Sequence, residues 1–177
     1  MNKNSTFEAL VKPVIVLTVI CIVVSGLLAV TNGVTAPIIK ANTEATANAA
    51  RVEILPEADS FTKLDYTDAD GIITEVYAAD NGAGYVISGS GKGYGGALPV
   101  MVGISADGTI TMIKVMDNDE TPGVGKKTQE ASFTDQFTGK DETLDGVTTI
   151  SGATISSTAV LNVVEHAFVA YNTVKEA

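Results

Sequence analysis

The chain has 177 residues, 45% of them hydrophobic, with 11 Lys and Arg against 21 Asp and Glu and a formal net charge of −10. A surface of that sign repels nucleic acid and anionic lipid, so neither is expected as a partner. One cysteine, Cys21, leaves the rest of the chain with no disulfide and no cysteine-bound metal or iron–sulfur cluster.

Residues 1–12 carry Lys3 and Lys12 against Glu8 and read as a cytoplasmic tail. From Pro13 to Ile39 no residue is charged, and Val14 to Val30 is almost wholly apolar. At about 1.5 Å rise per residue, about 20 such residues cross the ~30 Å hydrocarbon layer, so 13–35 is expected to be a transmembrane helix. A cleaved signal peptide fits less well. The best small-residue pair, in Val34-Thr35-Ala36, precedes Pro37, and the run exceeds the roughly 7–15 residues of a signal core. Cys21 follows Ile20 inside the run, which is not the setting of a lipoprotein cysteine. A tail this short stays in the cytoplasm most simply if the large C-terminal part is translocated, so the expectation is a single-pass anchor in the cell membrane with an extracytoplasmic domain.

Residues 36–56, rich in Ala, Asn, Thr and Glu and bracketed by Pro37 and Pro56, read as a stalk helix continuing from the span. The domain is expected over 57–177. From residue 40 onward nine Lys and Arg face twenty Asp and Glu, which speaks for solubility. Apolar runs follow at Ile72 to Ala78, Gly84 to Ser88, Leu98 to Ser105 and Ile110 to Met116. Leu98, Val100, Val102 and Ile104 recur at strand period, and Ala106-Asp107-Gly108 makes a turn into the next strand. This predicts an antiparallel β-meander. A short helix is expected around Thr128 to Gln136. From Val160 onward Val163, Val164, Ala167, Phe168 and Tyr171 fall at helical spacing with one buried face, and the whole reads as an α+β domain with a packed C-terminal helix.

Three segments could carry chemistry. Ser151-Gly152-Ala153-Thr154-Ile155-Ser156-Ser157 precedes the last helix. Small and hydroxylic residues at a helix start expose backbone N–H groups and suit an anion such as phosphate, while helix capping by Thr154, Ser156 or Ser157 explains the same residues. Gly91-Lys92-Gly93-Tyr94-Gly95-Gly96 lets the backbone approach a flat or charged ligand, or makes a plain hairpin turn. Glu120-Thr121-Pro122-Gly123-Val124-Gly125 reads as a turn with Pro and Gly at its centre. Asp117, Asp119 and Glu120 read as a solvated loop rather than a metal site, and the only histidine, His166, receives no role.

In this order, behind an N-terminal anchor, Gly93-Tyr94-Gly95-Gly96, the Asp107-Gly108 turn, Glu120-Thr121-Pro122-Gly123-Val124-Gly125 and Ser151-Gly152-Ala153-Thr154 resemble the G subunit of Rnf-type electron-transport complexes. The likeness extends over nearly the whole chain, to the C subunit of sodium-translocating NADH:quinone reductases, and to FMN-binding domains in general. The resemblance implies that Thr154 carries FMN through a phosphoester bond, made from FAD by a separate flavin transferase, with Ser151, Gly152, Ala153 and Ser156 around it. It also implies that Tyr94, Gly95, Glu120, Thr121 and Gly123 lie at the flavin. The family usually has Asp three residues before the motif's Ser or Thr, where this chain has Thr148; the nearest acid is Asp145.

The function so implied is electron carriage through covalent FMN within a membrane complex that couples ferredoxin and NAD to ion movement. No Gly-x-Gly-x-x-Gly opens a helix after a strand, so NADH and ferredoxin are expected to meet other subunits. The alternatives are a C-type quinone-reductase subunit, a membrane-anchored flavin reductase, and a surface or structural protein without flavin.

Overall fold

The computed structural model describes residues 3–176, with side chains from residue 11 onward, and divides into two compact units, Met1–Ala47 and Asn48–Ala177. The first unit consists of most of helix α1 (Lys3–Ile54), which contains Pro13 and Pro37. By length and composition α1 can cross a membrane. The threonine hydroxyls of its apolar stretch are accommodated locally. Thr18, Thr31 and Thr35 donate to the carbonyls of Val14, Leu27 and Thr31 at 2.8–2.9 Å, which satisfies hydroxyls that hydrocarbon would leave bare.

The second unit begins inside the stretch that reads by composition as a stalk. Ala50, Arg51, Ile54 and Leu55 are all buried, so the last two turns of α1 are part of the folded core. Five strands follow in an antiparallel meander of order β1-β2-β3-β4-β5: β1 (Phe61–Leu64), β2 (Ile73–Ala79), β3 (Gly84–Lys92), β4 (Ala97–Ser105) and β5 (Ile110–Val115). A 3₁₀ turn (Gly125–Gln129), the one-turn helix α2 (Ala131–Thr134) and a second 3₁₀ turn (Asp135–Phe137) lead to helix α3 (Thr154–Lys175). The expected meander and C-terminal helix are present. The short helix expected around Thr128 to Gln136 is broken into three pieces, and α3 starts six residues before Val160.

Strand alternation explains the two faces. Ile87, Val102 and Ile113 pair across β3, β4 and β5 and join Val160, Val163, Val164 and Phe168 of α3 in the main core. Each such fully buried aliphatic or aromatic side chain contributes about 1.5–3 kcal/mol. Val86, Met101 and Gly103 point to the opposite face, where Gly103 lies against Ile54 and the Thr111 hydroxyl donates to the Ile54 carbonyl at 2.8 Å. Arg51 completes this side, its guanidinium 3.7 Å from the Tyr77 ring centroid and 3.5 Å from Glu75, with Asn48 also accepting from it. In β3, Gly89 and Gly91 let α3 come close. A Cβ at Gly91 would stand 2.5 Å from the Ala159 carbonyl oxygen, and one at Gly89 would stand 2.7 Å from Val163 Cγ1.

Candidate functional site

Helix α3 is fixed along its length by the sheet, and the chain before it is bound into a turn. The N–H of Ala153 donates to the carbonyl of Ile150 at 3.0 Å, and Gly152 sits at φ +83°, a left-handed conformation in which a side chain is strained. Thr154 is then the first helical residue. Ala153, at the cap position, makes no side-chain capping bond, so the N–H groups of Thr154, Ile155 and Ser156 have no partner among the described residues.

The hydroxyls of this segment divide between two faces. Residues two apart in a helix lie about 200° round its axis, so inward Ser156 leaves Thr154 outward. Ser156 and Ser157 are buried, while Thr154 and Ile155 are exposed. Ser156 donates to Glu120 Oε2 at 2.6 Å; Ser157 donates to the Ala153 carbonyl at 2.9 Å and accepts from the Ile150 N–H at 3.1 Å. Neither serine caps the helix in the ordinary sense. The Thr154 hydroxyl has no partner among the described residues; the exposed Ser151 hydroxyl has none either, but of the two only Thr154 lines the cleft described next.

A cleft of about 350 Å³ opens in front of it, walled on one side by Gly152, Ala153, Thr154, Ile155 and Ser156. Glu120, Thr121, Val124 and Gly125 form another wall, and Tyr94 also lines the cleft. Tyr94, Ile155 and Val124 are 74%, 56% and 43% exposed, which gives the opening an apolar rim. Thr154 and Ile155 also border a groove of about 510 Å³ along α3 with Lys92, Thr158, Asn162 and Glu165. Thr154 is thus the ridge between two concavities, either of them of a size that takes a planar aromatic group.

All three sequence segments therefore meet at one place. Of the residues implied by the resemblance, Thr154, Gly152, Ala153, Ser156, Tyr94, Glu120 and Thr121 line the cleft. Ser151, Gly95 and Gly123 lie beside it without lining it. Gly95 donates its N–H to Glu120 Oε1 at 2.8 Å, and Gly123 turns the chain at φ +73°. The solvated-loop reading holds for Asp117 and Asp119, which are exposed, but is corrected for Glu120, which is 2% exposed and fully engaged. Val124, Gly125 and Ile155 also line the cleft; they lie within the quoted segments but receive no individual role from the sequence. An apolar residue exposed between hydroxyls is the available sign for Ile155. His166 lies away from the cleft, its ring 2.8 Å from the Asn162 carbonyl and 3.4 Å from Asp70. Among the described residues no cluster of His, Cys, Asp and Glu could hold a metal ion.

Comparison with known proteins adds to this geometry. A family model described as an FMN-binding domain matches residues 93–169, a stretch that contains every wall of the cleft. The chain is 35% identical over 174 residues to the G subunit of the Na(+)-translocating ferredoxin:NAD(+) oxidoreductase complex of Acetobacterium woodii, covering 82% of this chain and 84% of that one. It is 29% identical over 166 residues to the G subunit of the proton-translocating ferredoxin:NAD(+) oxidoreductase complex of Clostridium ljungdahlii, covering 85% of each. The G subunit of the ion-translocating oxidoreductase complex of Methanosarcina acetivorans is 33% identical over 187 residues, covering 97% of this chain and 99% of that one. Among solved structures, Shewanella oneidensis NqrC superposes with a TM-score of 0.48 at 23% identity, over 60% of this chain and 63% of that one.

Proposed function

Because the chain belongs to the family of ion-translocating oxidoreductase G subunits, we propose that it is the FMN-carrying subunit of an ion-translocating ferredoxin:NAD oxidoreductase complex, with FMN joined to Thr154 through a phosphoester bond. One observation carries the attachment point. Thr154 presents an unpartnered hydroxyl on the exposed side of a helix start, beside unpartnered N–H groups and between two concavities.

The residues present fit the group. A phosphate on the Thr154 oxygen would lie at the positive end of α3, where the free N–H groups of the first turn stabilise negative charge. Gly152 and Ala153 leave that end uncovered, and Tyr94, Val124 and Ile155 offer apolar surface to a flavin ring. Bound FMN supplies reversible electron transfer, and the chain supplies position and surroundings. A separate flavin transferase installs the cofactor, and other subunits of the complex receive ferredoxin and NAD.

The anchoring follows the same reading. Residues 1–12 form a cytoplasmic tail, 13–35 the membrane span and 36–56 the stalk, and 57–177 hold the flavin outside the cytoplasm. Residues 48–55, within that stalk, also belong to the folded unit.

The test is to co-express the full chain with a flavin transferase, denature the purified protein and look for flavin fluorescence that migrates with the polypeptide. Flavin present in the parent and absent from a folded Thr154→Ala variant is the expected result. A folded parent without covalent flavin, or a Thr154→Ala variant that retains it, overturns the assignment.

A further inference from the structure

The Gly93–Gly96 turn and the segment beginning at Glu120 are implied by the resemblance to lie near the cofactor, yet the Glu120 carboxylate is engaged with the turn itself, through the Gly95 N–H. Glu120 is 2% exposed. Its Oε1 accepts from the Gly95 N–H at 2.8 Å and its Oε2 from the Ser156 hydroxyl at 2.6 Å. Its own N–H donates to Asn118 Oδ1 at 3.0 Å, which sets the backbone from which the side chain enters. Among the described residues no salt bridge involves it. Burying a carboxylate without a counter-charge is costly, and here two charge-assisted hydrogen bonds offset that cost.

The neighbouring glycines are matched to this carboxylate. A Cβ at Gly93 would collide with Oε1, while its nearest contact outside Glu120 would be the Gly96 carbonyl oxygen at 3.3 Å. A Cβ at Gly125 would collide with Oε2 and stand 2.8 Å from Ser156 Oγ. Both glycines therefore have a steric reason that does not involve a ligand.

We propose that Glu120 is a positioning residue whose carboxylate ties the Gly93–Gly96 turn to the first turn of α3, and that Gly93 and Gly125 are glycine to admit that carboxylate rather than the cofactor. The tie fixes which way the helix start faces. Ser156 is turned inward onto Glu120, and Thr154, about 200° away round the helix, is held outward in the cleft that Tyr94 also lines. The functional half of this rests on the reading of Thr154 as the flavin attachment point; the packing half does not.

Two measurements on the full chain in detergent test it. The first is a double-mutant cycle read by thermal unfolding. Gly93→Ala should lower the midpoint by about 4 °C or more in the parent and by less than about 1 °C in a Glu120→Ala background, because the obstructing oxygens are gone. Equal losses in both backgrounds would mean that Glu120 is not what Gly93 makes room for, and the proposal fails. The second is covalent flavin per polypeptide after co-expression with a flavin transferase, together with the flavin absorption band. Glutamine keeps both links, since its oxygen accepts from Gly95 and its amide donates to the Ser156 hydroxyl. Glu120→Gln should therefore stay within about twofold of the parent, and Glu120→Ala should fall about tenfold with a shifted band, the scale set by misplacing a reacting group. A folded Glu120→Gln chain as poor in flavin as Glu120→Ala would assign the effect to charge and overturn the tie. So would a Glu120→Ala chain that loads like the parent.

Should Glu120→Ala not fold, Ser156→Ala cuts one of the two links and takes its place. A reduced load or shifted band supports the tie, and an unchanged load and spectrum refute it. A parent that takes no covalent flavin refutes the Thr154 reading alone, and the Gly93 comparison then decides the packing by itself.

Discussion

The hydroxyl of Ser157 reaches back past Thr154 to accept a hydrogen bond from the backbone N–H of Ile150 at 3.1 Å, while donating to the Ala153 carbonyl at 2.9 Å. A fully buried side chain one turn into the helix thus closes, from inside, the turn that presents the threonine. Ser157→Ala leaves the Ile150 N–H without its partner, while the Ala153 carbonyl keeps the Ser157 N–H at 2.9 Å, and should cost about 1–3 kcal/mol. Urea unfolding of the full chain in detergent should show a lower midpoint with an unchanged slope; an unchanged midpoint would show that the bond does not hold the turn.

Gly152 occupies φ +83° in the same turn with open space around its missing side chain, so a substitution there is resisted by backbone strain and not by crowding. Gly152→Ala should destabilise by about 1 kcal/mol, and Gly152→Asn by less, because Asn tolerates the left-handed region. If Ala and Asn unfold at the same midpoint as Gly, the turn does not require this conformation.

Arg51 is buried against the Tyr77 ring and Glu75 on the face of the sheet away from α3. Its flat guanidinium stacks where an ammonium cannot, so Arg51→Lys should recover little of the loss seen in Arg51→Ala, which we place at about 2–3 kcal/mol. Thermal unfolding checks both, and full rescue by Lys would reduce the role of Arg51 to its charge.

The loop before β2 gives a pH dependence with two opposite limbs. The Ile73 N–H holds the Asp68 carboxyl below the usual range; partial burial opposes this and the Ile72 N–H adds to it. A depressed carboxyl stabilises above its unfolded value and loses that stability as pH falls, here below about pH 4. Burial pushes His166 down, but the Asn162 carbonyl and Asp70 outweigh it and leave the imidazole above its ordinary value. A raised imidazole stabilises below about pH 6.5 and loses that contribution as pH rises through the folded value. His166→Gln should flatten the neutral-to-alkaline limb of a stability profile and Asp68→Asn the acid limb; a parallel drop at every pH would instead indicate lost packing.

Within the apolar part of α1, Gly26 has nothing within 4 Å of where a Cβ would stand. Gly26→Leu should therefore leave this chain's own helix intact, and any effect reports on neighbouring helices. Close approach at Ser25, Gly26 and Ala29 predicts weaker co-purification of the other subunits. Undiminished recovery of the complex would place the helix contact elsewhere.

How much of the fold and site is legible in the sequence depends on whether the cause is local. The alternation of Leu98, Val100, Val102 and Ile104 and the spacing of Val160 to Tyr171 are local patterns, and both elements are present. Strand β1 escapes a local reading because Phe61-Thr62-Lys63-Leu64 is a short edge strand with two exposed central residues, defined by its pairing to β2 and not by composition. Gly91 reads locally as part of a turn but is in strand β3, and its reason, the passage of Ala159 overhead, comes from 68 residues further on. Glu120 groups in sequence with acids one and three residues before it, while its actual partners are Gly95 and Ser156. The segments of the site can be picked out from sequence, but not which of their atoms face one another.

Helix α3 both seals the core, through Val163, Val164 and Phe168, and begins at Thr154. The unpartnered amides beside the threonine belong to the first turn of that docked helix. If Thr154 is modified as proposed, attachment would draw on that docked helix start, and a misfolded chain would be a poor substrate for a flavin transferase. Cofactor content would then serve the cell as a certificate of correct folding before the subunit joins its complex.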